Sequence, residues 1–289
     1  MKICPQCDHH FNQENWHCPS CGYTPPSLNG HLTFAPELAA ESAGFEAEFF
    51  PKLAQLEAKN FWFRSRNRLI IYAIKHYFPQ AKNFLEIGCG TGFVLQGIEK
   101  NLSHLTCSGS EIFTAGLEFA TERLCKTTLF QMDARNIPFA EEFDIIGAFD
   151  VLEHIEQDTD VLAKMYQATQ NGGGIILTVP QHPWLWSQAD THAHHVRRYI
   201  KKDLIIKLHQ AGFKIVRVTS FVSFLLPLML ISRINSRSNS KDYDPTSELK
   251  ISGFLNYLLE KILDMERWFI KLGFSFPFGG SLLVIAYKK

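Results

Sequence analysis

The sequence predicts an α/β fold built on a doubly wound, mostly parallel sheet, with a small metal-binding module in front of it. Short apolar runs alternate with helical stretches through most of the 289-residue chain, which is typical of sheets covered by helices on both faces. A glycine-rich turn follows the first of these runs, at residues 88–92. Two C-x-x-C pairs lie ahead of them, near residues 4–21.

The glycine-rich turn follows an apolar run, Phe84-Leu85-Glu86-Ile87, which has the character of a buried parallel strand. Gly88, Gly90 and Gly92 come directly after it. Glycine accepts positive φ and lets the backbone approach a ligand closely, and the next helix offers unpaired N–H groups. Phe93 stands where the dinucleotide fingerprint has its third glycine. The turn therefore predicts a nucleotide-like ligand, with a spacing unlike that of dinucleotide sites.

This segment resembles motif I of the class I S-adenosylmethionine-dependent methyltransferases, hydrophobic-(D/E)-hydrophobic-G-x-G-x-G, most closely the bacterial type 11 and type 23 branch. The resemblance implies S-adenosyl-L-methionine as methyl donor and co-substrate. It also implies a Rossmann-like, seven-stranded doubly wound sheet with an antiparallel last strand. A carboxylate suits a ligand that carries an ammonium and a sulfonium group. The resemblance assigns donor binding in this segment to Glu86, Gly88, Cys89, Gly90 and Gly92.

Acids after the next strands fit the same resemblance. Leu105 to Gly109 is predicted as strand two, and Glu111 beyond it can accept hydrogen bonds from both ribose hydroxyls, a role shared with NAD enzymes. Thr127 to Met132 is predicted as strand three. In the family pattern the acid after it meets the adenine amino group, and the next backbone N–H meets a ring nitrogen. The implied donor-binding residues here are Glu111, Ile112, Asp133 and Ala134.

Strand four is predicted over Phe143 to Phe149, and the segment from Asp150 to His154 resembles the part of the family that lines the methyl donor. Asp150 therefore joins the implied donor-binding residues. A helix is predicted to end at Gly172-Gly173-Gly174, because glycine commonly adopts the αL conformation at a helix end. The remaining strands are predicted at Gly174 to Val179, Phe213 to Val218 and Ser281 to Tyr287, and the family fold inserts the last one antiparallel beside strand five.

Histidines after strands four and five are the candidates for acting on the methyl acceptor. His154 and His195 are the candidate general bases, since histidine titrates near neutral pH; His182, His192 and His194 are weaker candidates. By analogy with metal-dependent methyltransferase families, a divalent-metal site of Glu153, His154 and His194 or His195, with Asp150 as a further acid, is an alternative. A third interpretation is that these histidines only order their loop through hydrogen bonds.

The four N-terminal cysteines predict a structural zinc ribbon over residues 1–26. Cys4 and Cys7 form one C-x-x-C pair and Cys18 and Cys21 the other, and each pair can present two thiolates to one tetrahedral Zn²⁺. A four-cysteine site is closed, so we expect no catalysis at this metal. Disulfide pairing is less favoured, because no secretory signal precedes the pairs and intracellular thiols stay reduced.

The rest of the chain is predicted as a linker, residues 27–44, and a methyltransferase domain, residues 45–289, with a helical insertion at 219–272. The insertion has apolar residues at helical spacing, which suits a membrane interface, a roof over an apolar acceptor pocket, a helical cap on the sheet or a dimer face. Ahead of motif I, residues 61–68 combine three aromatic residues with three arginines. These arginines either serve the ligand site, by covering the donor or holding an anionic group of the acceptor, or are solvated or pair with acids.

Net charge and the absence of one motif exclude some classes of methyl acceptor. The formal net charge is zero, so no broad basic surface supports nucleic-acid binding. No N-P-P-Y-like tetrad follows strand four, which disfavours the amino groups of DNA bases and protein amides as acceptors. We expect a methyltransferase acting on a small-molecule, sugar or lipid-linked acceptor. The alternative is an inactive methyltransferase fold that binds a partner through its ribbon or insertion. We expect a cytoplasmic location, with contact to the inner face of a membrane left open, as is the oligomeric state.

Overall fold

The computed structural model describes residues 1–39, 49–236 and 251–289. Within these ranges the strands are β1 (Lys2–Ile3), β2 (His10–Phe11), β3 (Ser27–Leu28), β4 (His31–Thr33), β5 (Asn83–Ile87), β6 (Thr106–Glu111), β7 (Thr128–Gln131), β8 (Phe143–Phe149), β9 (Thr169–Pro180), β10 (Lys214–Phe221) and β11 (Ser281–Tyr287). The helices are α1 (Phe49–Leu56), α2 (Phe61–Tyr77), α3 (Phe93–Asn101), α4 (Thr114–Arg123), α5 (Asp158–Ala168), α6 (Gln188–His192), α7 (Lys201–Gln210), α8 (Leu226–Ser236) and α9 (Gly253–Lys271).

One large sheet organises the chain. Among the described residues it has nine strands, in the order β10-β11-β9-β8-β5-β6-β7-β4-β3. Strands β5 to β9 are mutually parallel, whereas β11 runs antiparallel between β9 and β10. This topology confirms the doubly wound α/β fold with an antiparallel last strand. The β3–β4 hairpin adds two short strands to the seven that the sequence predicts.

Strand boundaries agree with the sequence prediction where an apolar run has sharp ends. Strands β8 and β11 cover the predicted ranges, and β6 and β7 differ from theirs only at the ends. Strand β10 continues to Phe221 instead of ending at Val218. The extension is explained by pairing, because β10 matches β11 from Lys214 opposite Tyr287 to Phe221 opposite Ser281.

The predicted helix end at residues 172–174 is wrong. Helix α5 ends at Ala168, and the three glycines lie inside β9. Gly172 has φ +79°, and a Cβ on Gly173 would lie 2.5 Å from the carbonyl oxygen of Asp144. The pairing of β9 with β8 is irregular at this point. The glycines are therefore needed for a close, irregular strand pairing, a requirement that a local helix-end pattern does not reveal.

Two apolar layers cover the two faces of the sheet. Because successive strand residues point to opposite faces, Phe84 packs into one layer and Leu85 into the other. The layer around Phe84 contains side chains from α2, α3 and α9, and the layer around Leu85 contains side chains from α5 and α7. With both faces covered, the carboxyl ends of the parallel strands are the part of the sheet available to a ligand.

The N-terminal segment packs against the β7 side of the sheet. The hairpin β3–β4, in the segment expected to be a linker, pairs in parallel with β7 through Leu32 opposite Phe130. The ribbon joins the loop after β7, where the N–H of Ile3 donates to the carbonyl of Pro138 over 3.0 Å. The Trp16 ring contacts Phe34 and Phe139, with ring centroids 4.5 and 5.4 Å apart. Residues 40–44 of the expected linker lie outside the described residues.

The insertion between β10 and β11 contains the helix pair α8 and α9. Helix α9 begins after Ser252, whose hydroxyl accepts from the N–H of Leu255, and it buries Leu263, Glu266 and Ile270. It packs along α2, where Arg64 and Arg68 of α2 form ion pairs with Glu260 of α9. Within the described ranges, no helix is long and apolar enough to cross a membrane.

Candidate functional site

A cavity of about 670 Å³ opens at the carboxyl ends of β5, β6, β7 and β8. This volume lies in the range typical of small-molecule sites. Eight of the predicted donor-site and catalytic residues line it, namely Gly88, Gly90, Glu111, Ile112, Asp133, Ala134, Asp150 and His154. Of the other predicted site residues, Glu86 and Cys89 are buried, Gly92 immediately precedes helix α3, and His195 lies beside His154.

The turn after β5 has the backbone conformation that its sequence predicts. Gly88 and Gly90 have φ of +67° and +52°, in the region that favours glycine. A Cβ on Gly88 would lie 2.5 Å from a methyl carbon of Val151. The N–H of Cys89 donates to the carbonyl of Ser110 over 2.9 Å, which holds the turn against β6. The turn therefore leaves its backbone close to the cavity, with no side chain at Gly88 to block it.

Glu111 links the end of β6 to the glycine turn. Its carboxylate accepts hydrogen bonds from the N–H of Gly90 and the N–H of Ile112, over 2.9 and 2.8 Å. Burial raises the pKa of Glu111, and these backbone donors oppose that rise. The side chain lines the cavity, and its contact to ribose hydroxyls stays a prediction.

Asp133 follows β7 and forms part of the cavity wall with Ala134. Its carboxylate accepts from the backbone N–H of Arg135 over 2.9 Å and is ion-paired with the Arg135 guanidinium, 2.8 Å away. Arg135 also lines the cavity. This pairing could not be predicted from the sequence, because acidic and basic residues two positions apart are common on surfaces. The pair fixes the side chain that the family pattern assigns to adenine.

Asp150 directly follows β8, has φ +58° and is ion-paired with Arg66 of α2. The Arg66 guanidinium lies over the Trp62 ring, 4.4 Å from its centroid. Arg64 and Arg68 pair with Glu260, as described above. The arginines of residues 61–68 therefore form ion pairs with acids, which is one of their two predicted roles. The ion pair of Arg66 lies at the cavity wall.

Glu86 and a buried network around Glu57 lie behind the cavity. Glu86 is 2% exposed, and burial raises its pKa well above the usual value, opposed by the charge of Arg66. Glu57 accepts from the hydroxyl of Thr91 and from Arg123, over 2.5 and 2.7 Å. This network joins the end of α1 to the glycine turn. Sequence reasoning missed it because its three members are far apart in the chain.

The two candidate bases lie side by side, with ring centroids 4.7 Å apart. Burial, with the adjacent His195, lowers the pKa of His154 to about 3, so this ring is neutral near pH 7. Nδ1 of His195 lies 2.9 Å from Oδ1 of Asp190. Glu153 is fully buried, and burial with the nearby Asp150 raises its pKa well above the usual value. His194 is exposed and is not part of this cluster.

The other histidine candidates lie elsewhere. His182 is stacked between the rings of Trp184 and Phe278, at centroid distances of 5.0 and 5.6 Å. Burial, with Arg198 nearby, lowers the pKa of His182. His192 ends helix α6 on the exposed side of the loop. The structure thus brings together His154 and His195 and separates them from the weaker candidates.

The four cysteines of the ribbon meet at one point. The sulfur atoms of Cys4 and Cys21 are 3.6 Å apart, and those of Cys7 and Cys18 are 3.7 Å apart. Tetrahedral zinc with Zn–S bonds of about 2.3 Å would place its sulfur atoms about 3.8 Å apart. All four lie within 4.8 Å of one another. The donor set and spacing fit a structural Zn²⁺, as the sequence predicts.

Comparison with known proteins identifies the family. Residues 55–218 match a family model described as a methyltransferase domain. The mitochondrial ubiquinone biosynthesis O-methyltransferase of Candida albicans is 25% identical over 124 residues, covering 40% of this chain and 38% of that protein. The polyketide synthase ThaQ of Burkholderia thailandensis is 24% identical over 116 residues, covering 38% of this chain and 6% of that protein. The chain thus spans less than half the length of these curated relatives.

Solved structures agree on the fold. Phosphoethanolamine N-methyltransferase 2 of Haemonchus contortus, in complex with S-adenosyl-L-methionine, aligns with TM-score 0.52 and 18% identity, over 77% of this chain and 52% of that chain. A methyltransferase of Thermotoga maritima, described as a possible histamine N-methyltransferase, aligns with TM-score 0.52 and 16% identity, over 83% and 98%. The family model covers more than half of the chain, so the protein belongs to the methyltransferase-domain family of class I S-adenosylmethionine-dependent enzymes.

Proposed function

We propose that this protein is an S-adenosylmethionine-dependent methyltransferase acting on a small-molecule, sugar or lipid-linked acceptor. The observation that carries the proposal is the cavity, which brings the turn at Gly88 and Gly90 together with Glu111, Asp133 and Asp150. These residues come from the ends of four different strands. Their arrangement at the carboxyl edge of a parallel sheet is the position where such folds bind ligands.

The residues around the cavity suit a cationic donor. We propose that Glu111 holds the ribose hydroxyls, that Asp133 and Ala134 hold the adenine, and that the glycine turn and Asp150 lie against the methionine part. Glu86 adds a buried acid behind the wall. When bound, the donor supplies a methyl group already activated by its sulfonium. The protein then contributes mainly position, because in-line placement of the acceptor accounts for much of the rate.

We propose that His154 and His195 act on the acceptor side. A general base works best with a pKa near the working pH, and the lowered pKa of His154 makes it a weak base. The ring of His195 is oriented by Asp190, which lies 2.9 Å from Nδ1, so that Nε2 is the atom left to accept a hydrogen bond. His154 lines the cavity, so its ring is available for contact and orientation of the acceptor.

The function is tested by calorimetric titration of the full chain with S-adenosylhomocysteine. We expect binding in the micromolar range, weakened by about 1–3 kcal/mol in Glu111→Ala through the loss of a charged hydrogen-bond partner. Glu122→Ala, which removes an exposed acid of α4, is the matched control and keeps its affinity. Absence of binding to the wild-type chain contradicts the proposal, and unchanged affinity in Glu111→Ala places the donor elsewhere.

We also propose that α9 lies against a membrane surface, which favours a lipid-linked acceptor. One face of the helix exposes an apolar stripe, defined as Phe254, Leu258, Met265, Trp268 and Leu272. Phe254 is 80% exposed and Trp268 is 55% exposed. Aromatic and aliphatic side chains along one face of a helix are typical of segments that lie in the membrane interface.

The charges of α9 favour an anionic surface. Its acids are engaged on the protein side, where Glu260 and Asp264 pair with Arg68 and Glu266 is buried. Lys261 and Lys271 are exposed as well, with Lys261 3.9 Å from Asp264 and Lys271 over the Tyr72 ring of α2. Lysines at this position can extend their ammonium groups to lipid phosphates while their stems cover apolar surface. We therefore propose an anionic phospholipid surface as the partner.

Sedimentation with vesicles tests this contact. We expect the protein to bind phosphatidylglycerol vesicles more strongly than phosphatidylcholine vesicles, and Phe254→Ser and Trp268→Ser to weaken binding. Ile206→Ser is the matched control, because Ile206 is an exposed apolar residue of α7, on the other face of the sheet. Equal binding of both vesicle types, or equal loss in the control variant, contradicts the proposed contact. Concentration-dependent dimerisation that the stripe variants abolish would identify a second copy as the occupant.

A further inference from the structure

We propose that Arg197 is a positioning residue of the ligand cavity, which holds one cavity wall in place from behind. This wall is the β8 turn, defined as residues 151–157, which follows β8. Its cavity-lining residues are Val151, His154, Ile155, Glu156 and Gln157. Arg197 lies between α6 and α7 and, among the residues that the structure describes, does not line the cavity. This role rests on the proposed function, since it concerns the cavity in which donor and acceptor would bind.

Little regular structure holds the β8 turn. Leu152–His154 form a single 3₁₀ turn, and helix α5 begins only at Asp158. Inside the turn, the N–H of His154 donates to the carbonyl of Val151 over 3.0 Å. The N–H of Ile155 donates to the carbonyl of Leu152 over 3.3 Å. The other carbonyls of the turn need donors from outside it, because unpaired backbone groups away from water are costly.

Arg197 supplies donors to two consecutive carbonyls of the β8 turn. Its Nη1 donates to the carbonyl of Ile155 over 2.9 Å, and its Nη2 donates to the carbonyl of Glu156 over 3.0 Å. The planar guanidinium presents its N–H groups in a fixed fork, so these two contacts set the spacing and direction of the two peptide groups. Ile155 and Glu156 both line the cavity. The guanidinium therefore determines where this part of the wall lies.

The neighbours of Arg197 hold the first half of the β8 turn. The N–H of Val196 donates to the carbonyl of Glu153 over 2.7 Å. The hydroxyl of Tyr199 donates to the carbonyl of Leu152 over 3.3 Å. Leu152 and Glu153 are buried and are not cavity-lining residues. Arg197 is therefore the member of this segment whose side chain holds the residues that face the ligand.

The position of Arg197 is itself fixed by α5 and β9. Its Nη1 lies 2.8 Å from Oδ2 of Asp158, the buried first residue of α5. The hydroxyl of Tyr199 donates to the same carboxylate over 2.7 Å. The N–H of Tyr199 donates to the carbonyl of Pro180, the last residue of β9, over 2.8 Å. Hydrogen bonds and one ion pair thus connect the end of β9 to the cavity wall through the side chains of Tyr199 and Arg197.

Loss of the guanidinium fork should loosen the wall without unfolding the protein. Asp158 keeps Lys207 as a cationic partner when Arg197 is replaced, whereas the carbonyls of Ile155 and Glu156 lose their donors. The wall then adopts, for part of the time, arrangements that do not bind the ligand. The apparent dissociation constant rises as the binding-competent fraction falls. Because methyl transfer depends on in-line placement, a wall displaced by about 1 Å also slows the reaction.

Calorimetric titration of the full, zinc-loaded chain with S-adenosylhomocysteine tests the role of Arg197. Arg197→Lys keeps a cation beside Asp158 but cannot present the fork, and it should bind about 3–10-fold more weakly than the wild type, the effect of about one net hydrogen bond. Arg217→Lys is the matched control and should bind as the wild type does. Arg217 of β10 also donates to two consecutive carbonyls, those of Gly273 and Phe274, and is not a cavity-lining residue. A purely structural arginine would change the stability in urea and leave the affinity of the folded protein unchanged.

Hydrogen–deuterium exchange of the ligand-free protein measures the β8 turn directly. The amides of residues 151–157 should exchange faster in Arg197→Lys and at the wild-type rate in Arg217→Lys. Unchanged affinity in Arg197→Lys, equal weakening in both arginine variants, or unchanged exchange in residues 151–157 overturns the inference. Should Arg197→Lys fail to fold, Arg197→Gln is judged by the same two measurements. A wild-type chain that binds no S-adenosylhomocysteine refutes the proposed function, and the exchange of residues 151–157 then decides the role of Arg197.

Discussion

Replacing Arg66 with methionine probes the ion pair at the cavity wall. The change leaves the carboxylate of Asp150 without its cation and removes a guanidinium that lies 4.4 Å from the Trp62 ring centroid. Breaking a buried pair by removing one partner costs about 3–5 kcal/mol. The side chain of Asp150 retains 19% exposure, so water offsets part of this cost. We expect a loss of about 3 kcal/mol in the free energy of unfolding, measured by urea denaturation with an unchanged slope.

Arg64→Met is the matched control, because Arg64 lies on the same helix, is more exposed than Arg66, and leaves Glu260 paired with Arg68. Loss of a partly exposed arginine from an acid that keeps a second cation should cost about 1 kcal/mol or less. In a double-mutant cycle, Asp150→Asn should recover part of the stability lost in Arg66→Met, since it removes the unpaired charge. Equal destabilisation by Arg66→Met and Arg64→Met, or strict additivity in the cycle, would refute the reasoning.

Three further predictions test other parts of the molecule. Cys18→Ser should release zinc from the purified protein, measured by elemental analysis, while the affinity for S-adenosylhomocysteine stays unchanged; a collapse of that affinity would make the ribbon part of the ligand site. Burial raises the pKa of Glu266 from 4.5 to about 7, so over this pH range the folded state keeps a proton that the unfolded state has lost. The free energy of unfolding should therefore fall by about 3 kcal/mol as the pH rises through this range. Glu266→Gln should abolish this pH dependence, measured by urea denaturation at each pH. Gly173→Ala should destabilise by about 1–3 kcal/mol, because its Cβ would meet the carbonyl of Asp144, whereas Gly253→Ala, with open space around it, should not; equal effects in calorimetric melting would contradict the steric explanation.

The sequence predicted the sheet well because its signals are local. Strands β8 and β11 are mainly apolar runs with sharp ends, and their ranges were predicted without error. The glycine turn needs a particular backbone conformation, which only its own residues determine. The triplet at 172–174 was misassigned because a glycine run suits a helix end and an irregular strand equally. Only the neighbouring strand, through Asp144, distinguishes the two.

The site was predicted only in part because many of its contacts join distant segments. Acids that follow strands, such as Glu111 and Asp133, could be placed at the cavity from their position alone. The partners of these acids could not be predicted from the sequence. The pairing of Arg66 with Asp150, which are 84 positions apart, could not be predicted either. The contact of Asp190 with His195 is nearer in sequence. It still depends on the fold of a loop for which no periodic pattern exists.

The β3–β4 hairpin bears on how the protein avoids self-association. An unpaired outer strand is a template for a second chain, and without the hairpin β7 would present its full length at the sheet edge. The hairpin pairs with β7 and leaves at the border only Ser27–Leu28, a strand of two residues. On the opposite border, β10 carries Arg217, whose guanidinium donates to the carbonyls of Gly273 and Phe274. Both borders are thus poor templates, which protects the chain from edge-to-edge aggregation.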